Sequence, residues 1–289
     1  MNKKVFITGS GGFVGKNLYA MLKPDFEVFG IDIVNNEFVD EVVDISDEAA
    51  LNKVLNNFQP DVIVHLAALS NVEKCETERE LTDARNILPV KTLTAWADKN
   101  DKNIIFISSD YVYDGVKGNF DENDGTNPAQ YYGQTKVEGE KIVSTLKNYV
   151  ILRPTVIYGW DPDGMNFFMQ LYRNIKDGKT MRVVTDQISN PTFVLDLCRL
   201  IKKAVASDLA GKFVATGNEI FGRYDFAVKI CEYFGWDKNL LAPVDTKSLG
   251  QIAKRPMNCS TINKLAVEKF DFNFNNLEHN LEIIRGQIV

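Results

Sequence analysis

The sequence predicts an α/β fold with a doubly wound parallel sheet, for three reasons. Short apolar runs alternate with helical patterns through the first half. Those runs are nearly continuous in Val, Ile and Phe without polar alternation, as expected of strands covered on both faces. The first of them runs directly into a glycine-rich turn that opens a helix, where a parallel sheet of this kind holds a phosphate.

The elements follow in order. VFIT is the first strand, and a helix reaching Leu22 follows the glycines. VFGIDI is the second strand; after a polar link, a helix around Ala49 to Phe58 leads into DVIVHLAA. One long helix is expected from about Glu76 to Lys99, then the strand NIIFISS, closed by Ser108 and Ser109. A polar loop containing Pro128 precedes a helix beginning near Tyr131, and YVILRPTVIYG returns to the sheet. After Tyr158 and Gly159 the pattern loosens through the turn cluster WDPDG, with a later strand at Lys212 to Thr216. Residues 1–160 therefore read as a dinucleotide-binding domain that takes sheet contributions from about 185–218. Residues 161–289 read as a mainly substrate-binding part interleaved with it.

Composition excludes several classes of function. A net charge of -6 without a dense Lys/Arg stripe argues against nucleic-acid binding, which needs clustered cations. No run approaches the roughly 18 apolar residues of a membrane span, and the N-terminal MNKKVFITGS reads as a strand, not a signal peptide, so a cytoplasmic protein is expected. Cys75, Cys198, Cys231 and Cys259 form no CxxC pair, and only His65 and His279 are available as imidazoles; no metal site is expected. His65, after an apolar strand, reads as structural.

Gly9, Gly12 and Gly15 are spaced GxxGxxG, with Phe13 and Val14 entering the helix. Such glycines permit a tight turn and close approach of the backbone to a pyrophosphate at a helix N-terminus. Asp32 ends the second strand, near the roughly 20-residue offset of an acid that binds the adenine ribose. Its carboxylate accepts from a 2′-hydroxyl and repels a 2′-phosphate, and no arginine precedes Arg79. NAD(H) is favoured, with NADP(H) left open by Lys16 beside the loop. Asp44 and Ile45, after a third strand, are placed against the adenine, with a helix N-terminal role as the alternative.

Tyr132 and Lys136 stand four apart, on one helix face. An ammonium beside a phenol favours proton exchange. The spacing alone decides nothing, because Tyr19/Lys23, Tyr113/Lys117 and Tyr172/Lys176 repeat it. Position decides: only Tyr132 starts a helix between two central strands, shortly after the serine-ended one.

ISSDYVYDG, the loop with Pro128, YYGQTKVEGE, DVIVHLAALSNVEKCE, Asp186-Gln187 with Asn190-Pro191-Thr192, and Arg255-Pro256 together resemble the extended short-chain dehydrogenase/reductase superfamily, specifically the dTDP-4-dehydrorhamnose reductase family. The likeness covers nearly the whole chain. It implies that Ser109 takes the role of the family's threonine, that Tyr132 is the general acid, and that Lys136 lowers the tyrosine pKa and holds the nicotinamide ribose. It further implies that Ala67 and Ala68 line the cofactor cleft, and that Asn166, Arg255 and Tyr111 contact a sugar-nucleotide substrate, Arg255 through its diphosphate. The activity so implied is reduction of the 4-keto group of a nucleotide-linked 6-deoxy sugar, most closely dTDP-4-dehydrorhamnose to dTDP-rhamnose. PTVIYG stands where that family has SWVYG, so a tryptophan near the sugar is missing, and LRPTVIYG resembles epimerase and dehydratase relatives. SSDYVYDG, the segment Gly217 to Ala227 and RPMNCSTINKL also resemble the regulatory β-subunit of methionine adenosyltransferase, a cofactor-binding partner protein without catalysis of its own. A homodimer is compatible with the sequence but not demanded by it.

Overall fold

A computed structural model describes residues 2–288; Met1 and Val289, the outermost residues of the two expected domains, lie outside it. The first half alternates as the sequence predicts: β1 (Lys4–Thr8), α1 (Phe13–Leu22), β2 (Glu27–Asp32), β3 (Glu41–Val42), α2 (Glu48–Phe58) and β4 (Val62–His65). Three helices follow, α3 (Val72–Thr77), α4 (Arg79–Asn86) and α5 (Leu88–Asn100), then β5 (Asn103–Ile107), α6 (Tyr131–Val143) and β6 (Tyr149–Arg153). The remainder consists of β7 (Ile157–Tyr158), α7 (Phe167–Lys176), β8 (Met181–Val184), β9 (Ile188–Ser189), β10 (Thr192–Phe193), α8 (Val194–Ala206), β11 (Gly211–Val214), β12 (Phe221–Gly222) and α9 (Arg223–Phe234). After these come β13 (Leu241–Val244), β14 (Asn258–Cys259), α10 (Lys264–Phe270) and α11 (Leu277–Gln287).

Seven strands form one parallel sheet in the order β11-β6-β5-β4-β1-β2-β3. Successive side chains of β1 point to opposite faces, and each face has its own core. Val5 and Ile7 pack with Leu18 and Leu22 of α1 and Leu197 and Ile201 of α8. Phe6 packs with Leu51 and Leu55 of α2 and Leu93 of α5. β11 joins the sheet beyond β6, with Lys212 in register with Ile151, so a strand from the second half completes the first half's sheet. The second half adds three small sheets, β7 with β10, β8 with β13, and β12-β9-β14, above the C-terminal strand ends. Among the described residues no helix is long and apolar enough to cross a membrane.

Two expectations need correction. The single helix expected from Glu76 to Lys99 is three helices, broken at Glu78 (φ -122°, ψ 65°) and Ile87. Pro89 explains the second break: it has no amide to continue the hydrogen-bond ladder of α4, but it fits the first turn of α5. No residue type marks the break at Glu78. YVILRPTVIYG is likewise not one strand, because Pro154 ends β6 and the chain passes through Val156 at φ 40° before β7 begins. A positive φ is strained for a β-branched residue, and Val156 lies on the wall of the cleft described next.

Candidate active site

The loops beyond the sheet's C-terminal edge enclose a cavity of about 980 Å³, the place and size expected of a ligand site in a doubly wound fold. Gly9, Gly12, Phe13, Val14 and Gly15 form one end of its wall, and Asp32, Ile33, Val43 and Ile45 continue it. Ala67 and Ala68 line the middle, and Ser109, Tyr111, Tyr132, Lys136 and Arg255 the far part. Fourteen of the sequence-predicted residues are thereby brought to one surface. Asp44 and Asn166 are not on it.

The glycine end fits a dinucleotide. Gly9 sits at φ 75°, and a Cβ on Gly15 would lie 2.0 Å from the Gly9 carbonyl oxygen, so α1 can begin there only because both side chains are missing. No side chain caps α1, which leaves its first amides available to an anion. The Asp32 carboxylate accepts from the amides of Gly11, Ile33 and Val34 at 3.1, 2.7 and 3.3 Å. It therefore shapes the turn as well as lining the cavity. Lys16 is ion-paired with Asp161.

Asp44 does not line the cavity, and the cap of α2 is Asp47. The Asp44 carboxylate accepts from Ser46 and from Arg85 at 2.6 Å, and it is Arg85, together with Ile45, that lines the cavity.

The catalytic end is built on β5 and α6. Beyond Ile107 the chain turns, and Asp110–Val112 forms one turn of 3-10 helix capped by the Ser109 hydroxyl, which accepts from the Tyr111 amide at 3.1 Å. Ser109 donates to Asp110 at 2.9 Å, and Thr155 donates to the same carboxyl at 2.6 Å. Burial nevertheless pushes the Asp110 carboxyl up to about 6. Gly133 lets α6 press against this turn, since a Cβ there would lie 2.2 Å from the Tyr111 carbonyl oxygen. The close fit sets the Tyr132 ring edge-on to Tyr111, with centroids 6.3 Å apart.

Tyr132 and Lys136 do share a helix face, and of the four Tyr-Lys pairs theirs alone lies on the cavity wall. Among the decoys only Lys23 hydrogen-bonds its tyrosine, at 3.2 Å, on α1. The Tyr132 hydroxyl has no hydrogen-bond partner among the described residues. Lys136 donates to the Ile107 carbonyl at 2.8 Å and stands 5.6 Å from the Tyr132 ring centroid. Burial lowers the Lys136 ammonium to about 8. Burial, then the nearby Asp110, raises the Tyr132 phenol. Lys136 does not hydrogen-bond the Tyr132 hydroxyl, and burial keeps the phenol in its protonated form. That is the form a proton donor requires.

A buried network steadies this end. Arg153 donates to both Glu140 carboxylate oxygens, at 2.8 and 2.6 Å, and Ser108 donates to one of them at 2.6 Å. Arg153 also donates to the Tyr113 hydroxyl at 2.7 Å, which itself donates to the Asp121 carbonyl. Helix α6, β6 and the loop after β5 are thus joined within a few residues of Ser109. His65 is buried at 2.7 Å from the Thr8 hydroxyl. Burial and the charge of Lys136 depress its pKa to about 3.

At the substrate end, Arg255 is on the wall but engaged. It donates to Glu73 at 2.7 Å and to the Ala253 carbonyl at 2.8 Å, and Glu73 also accepts from the Ile252 amide. The charge of Arg255 and these bonds hold the Glu73 carboxyl low despite partial burial. Asn166 is used locally instead: its side chain caps α7 by accepting from Met169 at 3.3 Å, and its amide nitrogen is buried without a partner. The neighbouring Phe167 and Gln170 reach the cavity. Arg85, Arg182 and Arg223 also line the wall and were not singled out by sequence reasoning. Only for Arg223 was there a signal, a cation directly after Gly222 at the start of an amphipathic helix.

This geometry can be set beside known proteins. The family profile described as "RmlD substrate binding domain" matches residues 3–285. The chain belongs to that family. A dTDP-4-dehydrorhamnose reductase of Aggregatibacter actinomycetemcomitans is 30% identical, over 91% of this chain and 92% of that protein. The crystal structure of dTDP-4-dehydrorhamnose reductase from Bacillus anthracis in complex with NADP superposes with a TM-score of 0.91 at 30% identity, covering 99% of this chain and all of that one. Methionine adenosyltransferase 2 subunit beta of Bos taurus is also 30% identical, over 92% of this chain and 83% of its own length.

Proposed function

We propose that the protein is a nicotinamide-dependent reductase of the 4-keto group of a nucleotide-linked 6-deoxy sugar, as its reductase relatives' names indicate for them. The observation that carries this reading is Tyr132: a neutral phenol with a free hydroxyl on the wall of a cleft whose other end suits a dinucleotide. The bound cofactor supplies the hydride. Tyr132 donates its proton to the carbonyl oxygen as that oxygen gains negative charge, and becomes phenolate. The Lys136 charge, 5.6 Å from the ring centroid, favours that phenolate. The Ser109 hydroxyl donates its hydrogen bond to Asp110 in this structure, so donation to the substrate requires that hydroxyl to rotate. Ala67, Ala68 and Ile45 supply apolar side chains to the cofactor's half.

NADH is the favoured cofactor in this reading, although the relative from Bacillus anthracis was crystallised with NADP. Asp32 supports it, as does the engagement of Lys16 by Asp161 and of Arg85 by Asp44, which leaves neither cation free for a 2′-phosphate. The likeness to the methionine adenosyltransferase subunit supports a second reading as a cofactor-binding regulatory protein.

The test is consumption of NADH and NADPH with 4-keto-6-deoxy sugar nucleotides carrying different bases. Turnover by the parent, reduced roughly 10²–10⁴-fold in Tyr132→Phe with NADH binding unchanged, supports the reductase. Binding of cofactor without turnover on any of them, together with co-purification with a methionine adenosyltransferase, favours the regulatory reading.

A further inference from the structure

The cleft contains one guanidinium that the fold itself does not use. Arg223 is the first residue of α9. It is held in place by the β12–β9 pairing and by its amide, which donates to the Gln187 carbonyl at 2.8 Å. Its side chain lines the cavity, with Cζ 5.0 Å from the Phe167 ring centroid. Every other lysine or arginine on the wall has a protein partner: Lys74 has Glu78, Arg85 has Asp44, Lys136 the Ile107 carbonyl, Arg182 the Ser248 carbonyl and hydroxyl, and Arg255 has Glu73. Among the described residues the Arg223 guanidinium has neither an ion pair nor a hydrogen bond. Its neighbouring titratable groups are Asp110 and Tyr111, and the Asp110 carboxyl is already taken by Ser109 and Thr155.

A partly buried cation without a counter-ion is disfavoured, and arginine cannot relieve that cost by losing its proton. A ligand that brings the anion removes the cost on binding. The position of Arg223 narrows which part of the ligand this is. Asp110 adjoins Ser109, and Tyr111 stands edge-on to Tyr132, which puts Arg223, their neighbour on the cavity wall, at the reacting end of the cleft.

We propose that Arg223 binds an anionic oxygen pair of the substrate at its sugar end and so sets which sugar nucleotides the cleft accepts. The pair is either a carboxylate on the hexose ring or the phosphate directly bonded to the sugar. This rests on the sugar-nucleotide part of the reading given above; the carboxylate case would put a carboxyl at C6 and so replace the 6-deoxy sugar of that reading with a hexuronate. A planar fork of donors matches both groups in bidentate geometry, which a lysine cannot reproduce.

Calorimetric titration of NADH-saturated parent, Arg223→Gln and Arg223→Lys with dTDP-glucose and dTDP-glucuronate tests the proposal, with thermal denaturation of each ligand-free protein alongside. The expected result is at least tenfold weaker binding by Arg223→Gln and an intermediate loss by Arg223→Lys, with NADH affinity kept. The ligand-free Arg223→Gln protein should melt no lower than the parent, because an unpaired charge has been removed. Equal losses for both ligands assign the contact to the phosphate, and a loss confined to the glucuronate assigns it to the ring carboxylate. Binding within twofold of the parent for both ligands overturns the proposal. So does a lower melting temperature accompanied by an equal loss of NADH affinity, which is the signature of a structural arginine. A parent that binds neither ligand, nor their UDP and GDP counterparts titrated in the same way, overturns the sugar-nucleotide reading itself, and this proposal with it.

Discussion

Glu140→Gln is the sharpest perturbation of the network beneath the catalytic loop. Glu140 and Arg153 are 3% and 1% exposed, and the carboxylate accepts three hydrogen bonds, two from Arg153 and one from Ser108. Glutamine fills the same space but leaves the guanidinium without its counter-charge, with only the Tyr113 hydroxyl as a further acceptor. Breaking a buried pair from one side costs about 3–5 kcal/mol. For 289 residues the unfolding entropy near the midpoint is about 0.6 kcal/mol/K, so Tm should fall by about 5–8 °C if unfolding is two-state. The assay is thermal denaturation followed by circular dichroism for the parent, Glu140→Gln, Arg153→Met and the Glu140→Met/Arg153→Met double variant. The double variant should recover much of the loss, because an apolar pair leaves no buried charge. Glu232→Gln, in the exposed pair with Lys238, serves as the control and should barely move Tm. A Glu140→Gln protein melting within 1 °C of the parent, on the scale of about 0.6 kcal/mol per degree, would refute the account, as would a double variant that loses the sum of the two single changes.

Lys136→Met should abolish turnover yet raise stability at pH 7. The folded pKa of about 8 lies below the ordinary 10.5, so the unfolded chain binds more protons between those values and the parent gains stability as pH rises through that window. Below it the penalty of up to about 3 kcal/mol is fully present; a Lys136→Met protein less stable than the parent at pH 7, or an advantage that does not shrink above pH 10, would contradict this. Gly15→Ala should weaken NADH binding by more than about tenfold, 1.4 kcal/mol, because its methyl would meet the Gly9 carbonyl at 2.0 Å; fluorescence titration with NADH reads this, and an unchanged Kd counts against the cradle. The parent should bind NADH more tightly than NADPH, and Asp32→Ala should narrow that gap; equal affinities in the parent would remove the ribose role given to Asp32.

The order of strands and helices through β6 could be read from the chain because each strand is a buried apolar run and each turn has its own chemistry. The glycines at 9, 12 and 15, and Asp32 after them, are local signals of the same kind: spacing along the chain fixes their geometry. The break of the 72–100 segment was only half legible, since Pro89 announces itself and Glu78 does not. The YxxxK spacing shows where reading from the chain stops. Four copies are equivalent in sequence, and a helix that packs on Tyr111 through Gly133 sets one of them on the cleft wall.

What only the tertiary structure decided is which polar groups are already engaged. Arg255, Lys16 and Arg85 were all available as ligand-binding cations in the sequence, and folding gives each a carboxylate from a distant element: Glu73, Asp161 and Asp44. The Asn166 side-chain oxygen is taken by a helix cap. Arg223 carries only the weak local mark of a cation after Gly222 at a helix start, yet among the described residues it is the cation on the cleft wall without a protein partner. Pairing across 41 to 182 residues of chain depends on which loops the sheet brings together. Helical and strand periodicity, which act over a few residues, hold no information about it.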